Sequence, residues 1–331
     1  MSSFAIATPK SYAEASAIAT DRRFRLPVIK AGGIDVIDHL KEGLIEPDVV
    51  VNIRRVRAQG EPISLAGSTL RIEATATLTE IVESPLVARH APVLAQALAS
   101  AATPAVRNVA SAAGNLLQRP RCWYYRNDQF DCLKKGGAQC FSVEGENQYH
   151  AIFGDGPCHI VHPSNLAPAL MVCGATIHLT GSKRESLPIA DLFHMPDTGV
   201  TSEHTLAPPE VVTHISVDAA PASGCWSIKA KQSHDWPLAF AAASLELSGG
   251  VIRRARVCAG AVAPVPWALP KVAEALEGVK IDDDAALVRV AARSVEGAKP
   301  MTGNAYKLKL LPVAVVRAVL KAGGRAVEIE S

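Results

Sequence analysis

Residues 26 to 43 read LPVIKAGGIDVIDHLKEG, and the local pattern changes twice within them. Leu26 to Ala31 is a short apolar run of strand length, and it stops at Gly32-Gly33. From there Ile34, Ile37 and Leu40 recur at helical spacing. Two adjacent glycines between a strand and a helix let backbone N–H groups point outward toward an anion, because no Cβ blocks the approach and φ > 0 is allowed. The helix N-terminus beside them adds partial positive charge suited to a phosphate. The spacing is not GxGxxG, and no GxxxxGK[ST] occurs anywhere in the chain. Taken alone, the stretch reads either as a simple turn or as a phosphate cradle.

Further elements follow on either side of the turn. Asp48–Ile53 and Thr69–Ala74 read as strands, residues 91 to 101 as a helix, Pro163–Gly174 as a helix with Ser164 as N-cap, and Ala175–Thr180 as a strand. Near 216–224 the sequence VDAAPASG reads as a linker. Beyond it Leu238–Leu247, Ser248-Gly249-Gly250 and Val251–Cys258 predict an antiparallel hairpin with a tight glycine turn. Helical patterns over Ala268–Leu276, Ala285–Ser294 and Ala305–Lys321 close the chain. We place a domain boundary near residue 220, dividing the chain into 1–220 and 221–331, in line with about two domains for 331 residues.

Hydrophobic residues make up 48% and charged residues 20% of the chain, which excludes a disordered protein. A formal charge of +2 gives no footprint for nucleic acid or for an acidic membrane surface. No apolar run is long enough to span a bilayer, and the start Met1-Ser2-Ser3-Phe4 carries no export signal, so none is expected on this chain.

A second small-residue segment, TPAVRNVASAAGN, covers residues 103 to 115. Ala110 to Gly114 would permit close approach of the backbone to a ligand, while Thr103, Asn108, Ser111 and Asn115 offer neutral hydrogen-bonding side chains. A plain helix contact fits these residues equally well.

KAGGIDVIDHLKEG (30–43) and TPAVRNVASAAGN (103–115), taken together, resemble the FAD-binding domain of the molybdenum hydroxylase flavoproteins: xanthine dehydrogenase, the carbon monoxide dehydrogenase medium subunit and their relatives. The likeness continues in Leu206-Ala207-Pro208-Pro209-Glu210, in Lys231-Gln232-Ser233 and in AGAVAP at 259–264, so it covers nearly the whole chain. It implies an α+β fold, a two-part FAD-binding domain of the vanillyl-alcohol-oxidase-like type followed by a smaller α+β domain with an antiparallel sheet. It further implies that Ala31, Gly32, Gly33, Ile34, Asp35 and Val36, flanked by Lys30 and Ile37, line the FAD pyrophosphate through backbone N–H groups. Ser111, Ala112, Ala113, Gly114 and Asn115 would form a second cradle around phosphates and ribose, with Thr103 and Asn108 beside it. Asn165 stands where relatives often carry Asp, and Lys231 near the family's flavin-contacting lysine. Two departures are visible: Ile34 replaces the common Thr of AGGTD, and Ala113 the first Gly of a GGN.

Between Leu117 and His159 the aliphatic runs give way to aromatics, charges and four cysteines, with no steady period. A connection near 40 residues without its own periodicity needs something other than a hydrophobic core to hold it. Cys122, Cys132, Cys140 and Cys158 match neither a CxxC knuckle nor a ferredoxin run. Their clustering in a chain without an export signal favours metal over disulfides. QRPRCWYYR (118–126), GENQYHAIF (145–153) and GPCHIVHPSNLAPAL (156–170) resemble the FAD subunit of bacterial periplasmic aldehyde oxidoreductases. That subgroup implies a 4Fe-4S cluster on these four thiolates, within an insertion at 118–158. Structural zinc, or reduced core cysteines that happen to be neighbours, are the alternatives. Cys173, Cys225 and Cys258 lie in apolar runs and read as core. Trp123, Tyr124 and Tyr125 either shield the cluster or simply pack, and the ten histidines show no ligand spacing.

The resemblance implies an electron-transfer subunit with no catalytic acid, base or nucleophile of its own. Its implied partners are a molybdenum cofactor-binding large subunit and a 2Fe-2S small subunit. They would place it in the periplasm by co-export with a signal-bearing partner, or in the cytoplasm. A stand-alone FAD oxidoreductase and a flavin-free metal-stabilised scaffold are the competing expectations.

Overall fold

A computed structural model describes residues 3–58, 60–231 and 234–327. Near the N-terminus, β1 (Ala5–Ala7), β2 (Pro27–Lys30) and β3 (Val49–Asn52) form a parallel sheet in the order β1-β3-β2. Its connections are the helices α1 (Tyr12–Ala19) and α2 (Ile34–Lys41), as parallel neighbours require a crossover. The expected strand at 26–31 is β2, and the glycine turn leads directly into α2. β1 and α1 had no expectation attached to them. Only three residues long, β1 is exposed at Ala5 and Ile6, so no alternating pattern reveals it.

A five-stranded antiparallel sheet follows, in the order β4-β5-β8-β6-β7. It comprises β4 (Ile63–Ala66), β5 (Thr69–Glu73), β6 (Thr176–Thr180), β7 (Ser186–Pro188) and β8 (Val211–Val217). Leu70, Ile72, Ile177, Ile215 and Val217 turn inward from it onto α3 (Leu78–Glu83), α4 (Pro85–His90), α5 (Pro92–Ala99) and α9 (Leu166–Val172), with α6 (Pro104–Arg107), α7 (Ala112–Leu116) and α8 (Trp123–Arg126) placed between. A short α10 (Ile189–Leu192) closes this layer. The fully buried aliphatic residues here supply the main burial energy of the first core.

The chain then crosses through 218–222 into a four-stranded antiparallel sheet ordered β12-β11-β10-β9. Its strands are β9 (Ser223–Lys229), β10 (Pro237–Ser248), β11 (Val251–Gly260) and β12 (Trp267–Ala268). The hairpin of β10 and β11 turns at Gly249 and Gly250, both at positive φ (58° and 76°), the geometry that a two-residue turn demands. The helices α11 (Pro270–Leu276), α12 (Asp284–Ala291) and α13 (Lys307–Ala322) cover one face of this sheet and close a second core. Cys225, Phe240, Ala242 and Cys258 belong instead to the first core, so the two sheets share a wall. Cys173, Cys225 and Cys258 are buried, as expected of core thiols.

Candidate functional site

A cavity of about 430 Å³ opens between the parallel sheet, α6, α7 and the segment before α9. Ala31, Gly32, Gly33, Ile34, Asp35, Val36, Thr103, Ser111, Ala113, Gly114, Asn115 and Asn165 all line it. The two segments lie about seventy residues apart in sequence and meet because Gly32 packs on the backbone of Val109 and Ala110. A Cβ on Gly32 would stand 2.0 Å from the Val109 carbonyl oxygen, so glycine is required for the contact. Gly33 is the N-cap of α2 at φ +85° and leaves the helix without a side-chain cap. Among the described residues, the amides of Gly32, Gly33, Ile34, Asp35 and Val36 make no hydrogen bond. Five unused donors at the start of an eight-residue helix form the kind of cradle that receives a phosphate.

The second segment does not work this way. The Ala112 amide donates to the Ala76 carbonyl at 2.8 Å and the Ala113 amide to Ala74 at 3.0 Å. Gly114 donates to the Ser111 hydroxyl at 3.2 Å, and Asn115 to the Ser111 carbonyl at 2.8 Å. The Ala112 and Ala113 amides thus join α7 to the β5–α3 connection, and those of Gly114 and Asn115 close the first turn of α7 on Ser111. Ala112 is fully buried and does not line the cavity. What the segment offers a ligand is a smooth small-residue wall. It also braces the opposite side, since the Asn115 Oδ1 accepts the Ser164 hydroxyl at 2.6 Å while that oxygen accepts the Ala167 amide at 2.9 Å. The N-cap of α9 falls on Asn165, one residue after the expected Ser164, and makes no side-chain cap bond, while the Ser164 hydroxyl still accepts an amide of the first turn.

Four further expected residues lie away from the cavity lining. Lys30 borders a separate hollow with Asn52 and Arg54, Ile37 is exposed, Asn108 accepts the Thr79 hydroxyl at 2.6 Å, and Lys231 is exposed on the surface. Gln232 and Ser233 lie outside the described residues. Conversely, sequence reasoning missed Arg121, Gln118 and Trp236, all of which line the cavity. The Arg121 guanidinium lies over the Trp236 ring, 5.2 Å from its centroid, and brings a positive charge to the glycine turn. Its placement among aromatics in an aperiodic stretch hid it. Ala102 and His234, also on the lining, hold positive φ without being glycine, a sign of backbone strain at the rim.

Asp35 has a role that its backbone position did not reveal. Its carboxylate lies 2.7 Å from Arg126 and 3.0 Å from Arg121, and it accepts the Arg119 amide at 2.8 Å. Burial alone would raise this carboxyl, but Arg121, the Arg119 amide and Arg126 outweigh it and hold it below the ordinary aspartate range. The first helical turn beside the cavity thus anchors the start of the cysteine-bearing insertion. His39 reinforces it, with Nε2 2.9 Å from the Tyr125 hydroxyl.

The insertion itself is short turns around one α-turn, α8, and is held from two further sides. Buried Lys134 pairs with Glu203 at 2.5 Å, and Arg119 reaches the same carboxylate at 2.7 Å. From the C-terminal part, Asn304 donates to the carbonyls of His150 and Ala151 at 3.1 and 3.0 Å. Lys307 donates to Tyr149, His150 and Ala261 at 3.1, 3.0 and 2.7 Å. Burial lowers the Lys307 ammonium to about 7.

These anchors bring Cys122, Cys132, Cys140 and Cys158 to one small cavity, walled also by Tyr124, Phe141 and His150. Tyr124, Phe130 and Phe141 pack against one another with ring centroids 5.1 to 6.1 Å apart on one side of the thiols, of which Cys132 and Cys158 are buried and Cys122 and Cys140 partly so. Burial pushes the Cys122 thiol up to about 11. The neighbouring Cys158 thiol lowers Cys140 to about 5, and the same contact together with burial raises Cys158. Among the described residues no three His, Cys, Asp or Glu side chains converge on a point that would hold a single metal ion.

Between the two cavities lies a third, of about 210 Å³. It shares Arg121, Pro163, Asp235, Trp236 and Pro237 with the first, and Cys122, His150 and Ile160 with the thiol cavity. The two sites are therefore neighbours.

Comparison with known proteins agrees with this architecture. The family described as FAD binding domain in molybdopterin dehydrogenase matches residues 2–219, and the CO dehydrogenase flavoprotein C-terminal domain matches residues 225–322. The aldehyde oxidoreductase FAD-binding subunit PaoB of Escherichia coli (strain K12) is 30% identical over 252 residues, 73% of this chain and 77% of that one. The nicotinate dehydrogenase FAD-subunit of Eubacterium barkeri is 30% identical over 116 residues, 35% of this chain and 39% of that one. Among solved structures, quinoline 2-oxidoreductase from Pseudomonas putida 86 superposes with a TM-score of 0.75 at 21% identity, covering 98% of each chain. Carbon monoxide dehydrogenase from Hydrogenophaga pseudoflava does so at 0.75 and 23%, covering 98% of this chain and 99% of that one. Matched by these domain families over nearly its whole length, the chain belongs to the FAD-binding subunits of the molybdenum hydroxylases, a family of oxidoreductases.

Proposed function

We propose that this chain is the flavin subunit of a molybdenum-dependent aldehyde oxidoreductase. In this reading it works beside a molybdenum cofactor-binding large subunit and a 2Fe-2S small subunit and hands electrons to an external acceptor. The observation that carries the flavin half is the run of unused amides from Gly32 to Val36 facing a cavity of about 430 Å³. Those amides suit the pyrophosphate, and Arg121 supplies a positive charge beside it. The small side chains of Ala113 and Gly114 leave room for a flat ligand, and buried Asn165 offers it a hydrogen-bonding amide. Bound FAD supplies the capacity to accept and release electrons one or two at a time. The aldehyde substrate class rests on the likeness to PaoB.

We assign a 4Fe-4S cluster to the four-thiol cavity as part of the same reading. Four cysteines lining one small cavity supply the four-thiolate ligand set that such a cluster requires, in the segment where the sequence places them together. The deciding measurement is the visible spectrum of the purified protein before and after dithionite, with flavin, iron and acid-labile sulfide determined on the same sample. One flavin with about four iron and four sulfide per chain is the expected result. Flavin without iron would remove the cluster assignment, and iron without flavin would remove the cradle.

A further inference from the structure

The contacts around Cys122 carry a further inference, which rests on the reading of the thiol cavity as an iron–sulfur site. His150 Nε2 lies 3.3 Å from the Cys122 sulfur. Cys140, by contrast, faces the Ser142 hydroxyl at 3.1 Å. The imidazole is 4% exposed and cannot swing away freely. Its carbonyl is fixed by Lys307 and Asn304, and Trp123 packs against its ring at 6.2 Å.

A neutral imidazole carries one N–H, on either nitrogen. The Nδ1 of His150 is buried without a hydrogen-bond partner among the described residues, so nothing there competes for the proton. A thiol can donate to Nε2, but a thiolate can only accept. Once Cys122 binds iron, the contact is attractive only with the proton on Nε2.

We propose that His150 is a positioning residue for Cys122, donating its Nε2–H to the iron-bound sulfur and so raising the reduction potential of the cluster above that of a cluster lacking this bond. An N–H bond withdraws electron density from the sulfur and favours the more negative, reduced cluster.

The test uses the purified holoenzyme. An EPR-monitored redox titration should show the cluster of His150→Leu shifted to a more negative midpoint at unchanged iron content. His150→Gln, which keeps an N–H donor at the end of its side chain, should recover most of that shift. Equal midpoints for the wild type and His150→Leu would overturn the proposal. Pulsed EPR of the reduced wild-type cluster, with isotopically labelled histidine nitrogen, should show coupling to one imidazole. Its absence would overturn the proposal even where His150→Leu loses its cluster. A wild-type enzyme without iron and sulfide would instead sink the cluster reading and this inference together, an outcome distinguishable because no cluster signal exists to shift.

Discussion

The cavity proposed for flavin is made by backbone and the thiol cavity by side chains, and a third cavity that shares residues with both lies between them. In the first, glycine and alanine bring chain segments together, and the ligand-facing groups are amides that any sequence would possess. In the second, the chemistry lies in four particular thiols, and the loop bearing them has no core of its own. It is positioned by ion pairs and carbonyl contacts from Asp35, Glu203 and Lys307. A backbone site therefore tolerates side-chain change except where Cβ space is missing, and a side-chain site fails whenever one anchor or ligand is lost.

The largest effect should come from Gly32→Ala. The added Cβ meets a backbone carbonyl at 2.0 Å, and backbone cannot rotate aside as a side chain can. Overpacking of this kind costs ~1–3 kcal/mol, and a loss of about 1.4 kcal/mol already means tenfold in binding. Flavin affinity should fall by about five- to a hundredfold, read as flavin absorbance lost on desalting, while circular dichroism shows folded protein. Undiminished flavin would show that the Gly32 contact does not shape the cavity.

Cys132→Ser comes next and acts on the other side of the comparison. Iron and sulfide should drop to a minor fraction while the flavin ratio stays near that of the wild type. Equal loss of both would mean that the cavities fold as one unit, against the distinction drawn above.

Asp35→Asn tests the joint between them. Removing one partner of a buried ion pair costs ~3–5 kcal/mol, and the partial exposure of Asp35 calls for a smaller figure of ~1–3 kcal/mol. Because the folded carboxyl titrates below its unfolded value, its stabilisation is complete above the unfolded pKa of about 4. It is lost as pH falls through the lower folded value. Thermal melts should therefore show a lower midpoint for the variant at pH 7 and a gap that narrows under acid. A gap constant down to pH 3 would assign the loss to packing instead.

The smallest effect belongs to Ser164→Ala, which removes a cap-like hydrogen bond to the first turn of α9 and the bond to Asn115. A cap is worth ~1 kcal/mol, visible in urea unfolding with little change in flavin content. A large flavin loss would show that the brace on Asn115 governs the cavity.

Much of this was legible in the residues. Gly32-Gly33 between an apolar run and a helical period marked the turn, since only glycine fits both a positive φ and a contact with Val109. The hairpin at Gly249-Gly250 was readable for the same reason. The side-chain role of Asp35 and the charge of Arg121 were not, because an ion pair across more than eighty residues leaves no periodic trace. Nor was the internal use of the Ala112 and Ala113 amides, since a small-residue run looks alike whether its N–H groups face a ligand or a neighbouring carbonyl.

Two glycine-marked segments and four clustered cysteines are visible along the chain because they depend on residue type and near neighbours. That the first segment keeps its amides free while the second spends them emerges from the fold. It alone placed the cysteines on one cavity next to the first and gave Cys122 a histidine. Those outcomes depend on which distant backbone and side-chain groups meet, and hydrogen bonds form by proximity in space, whatever the separation along the chain.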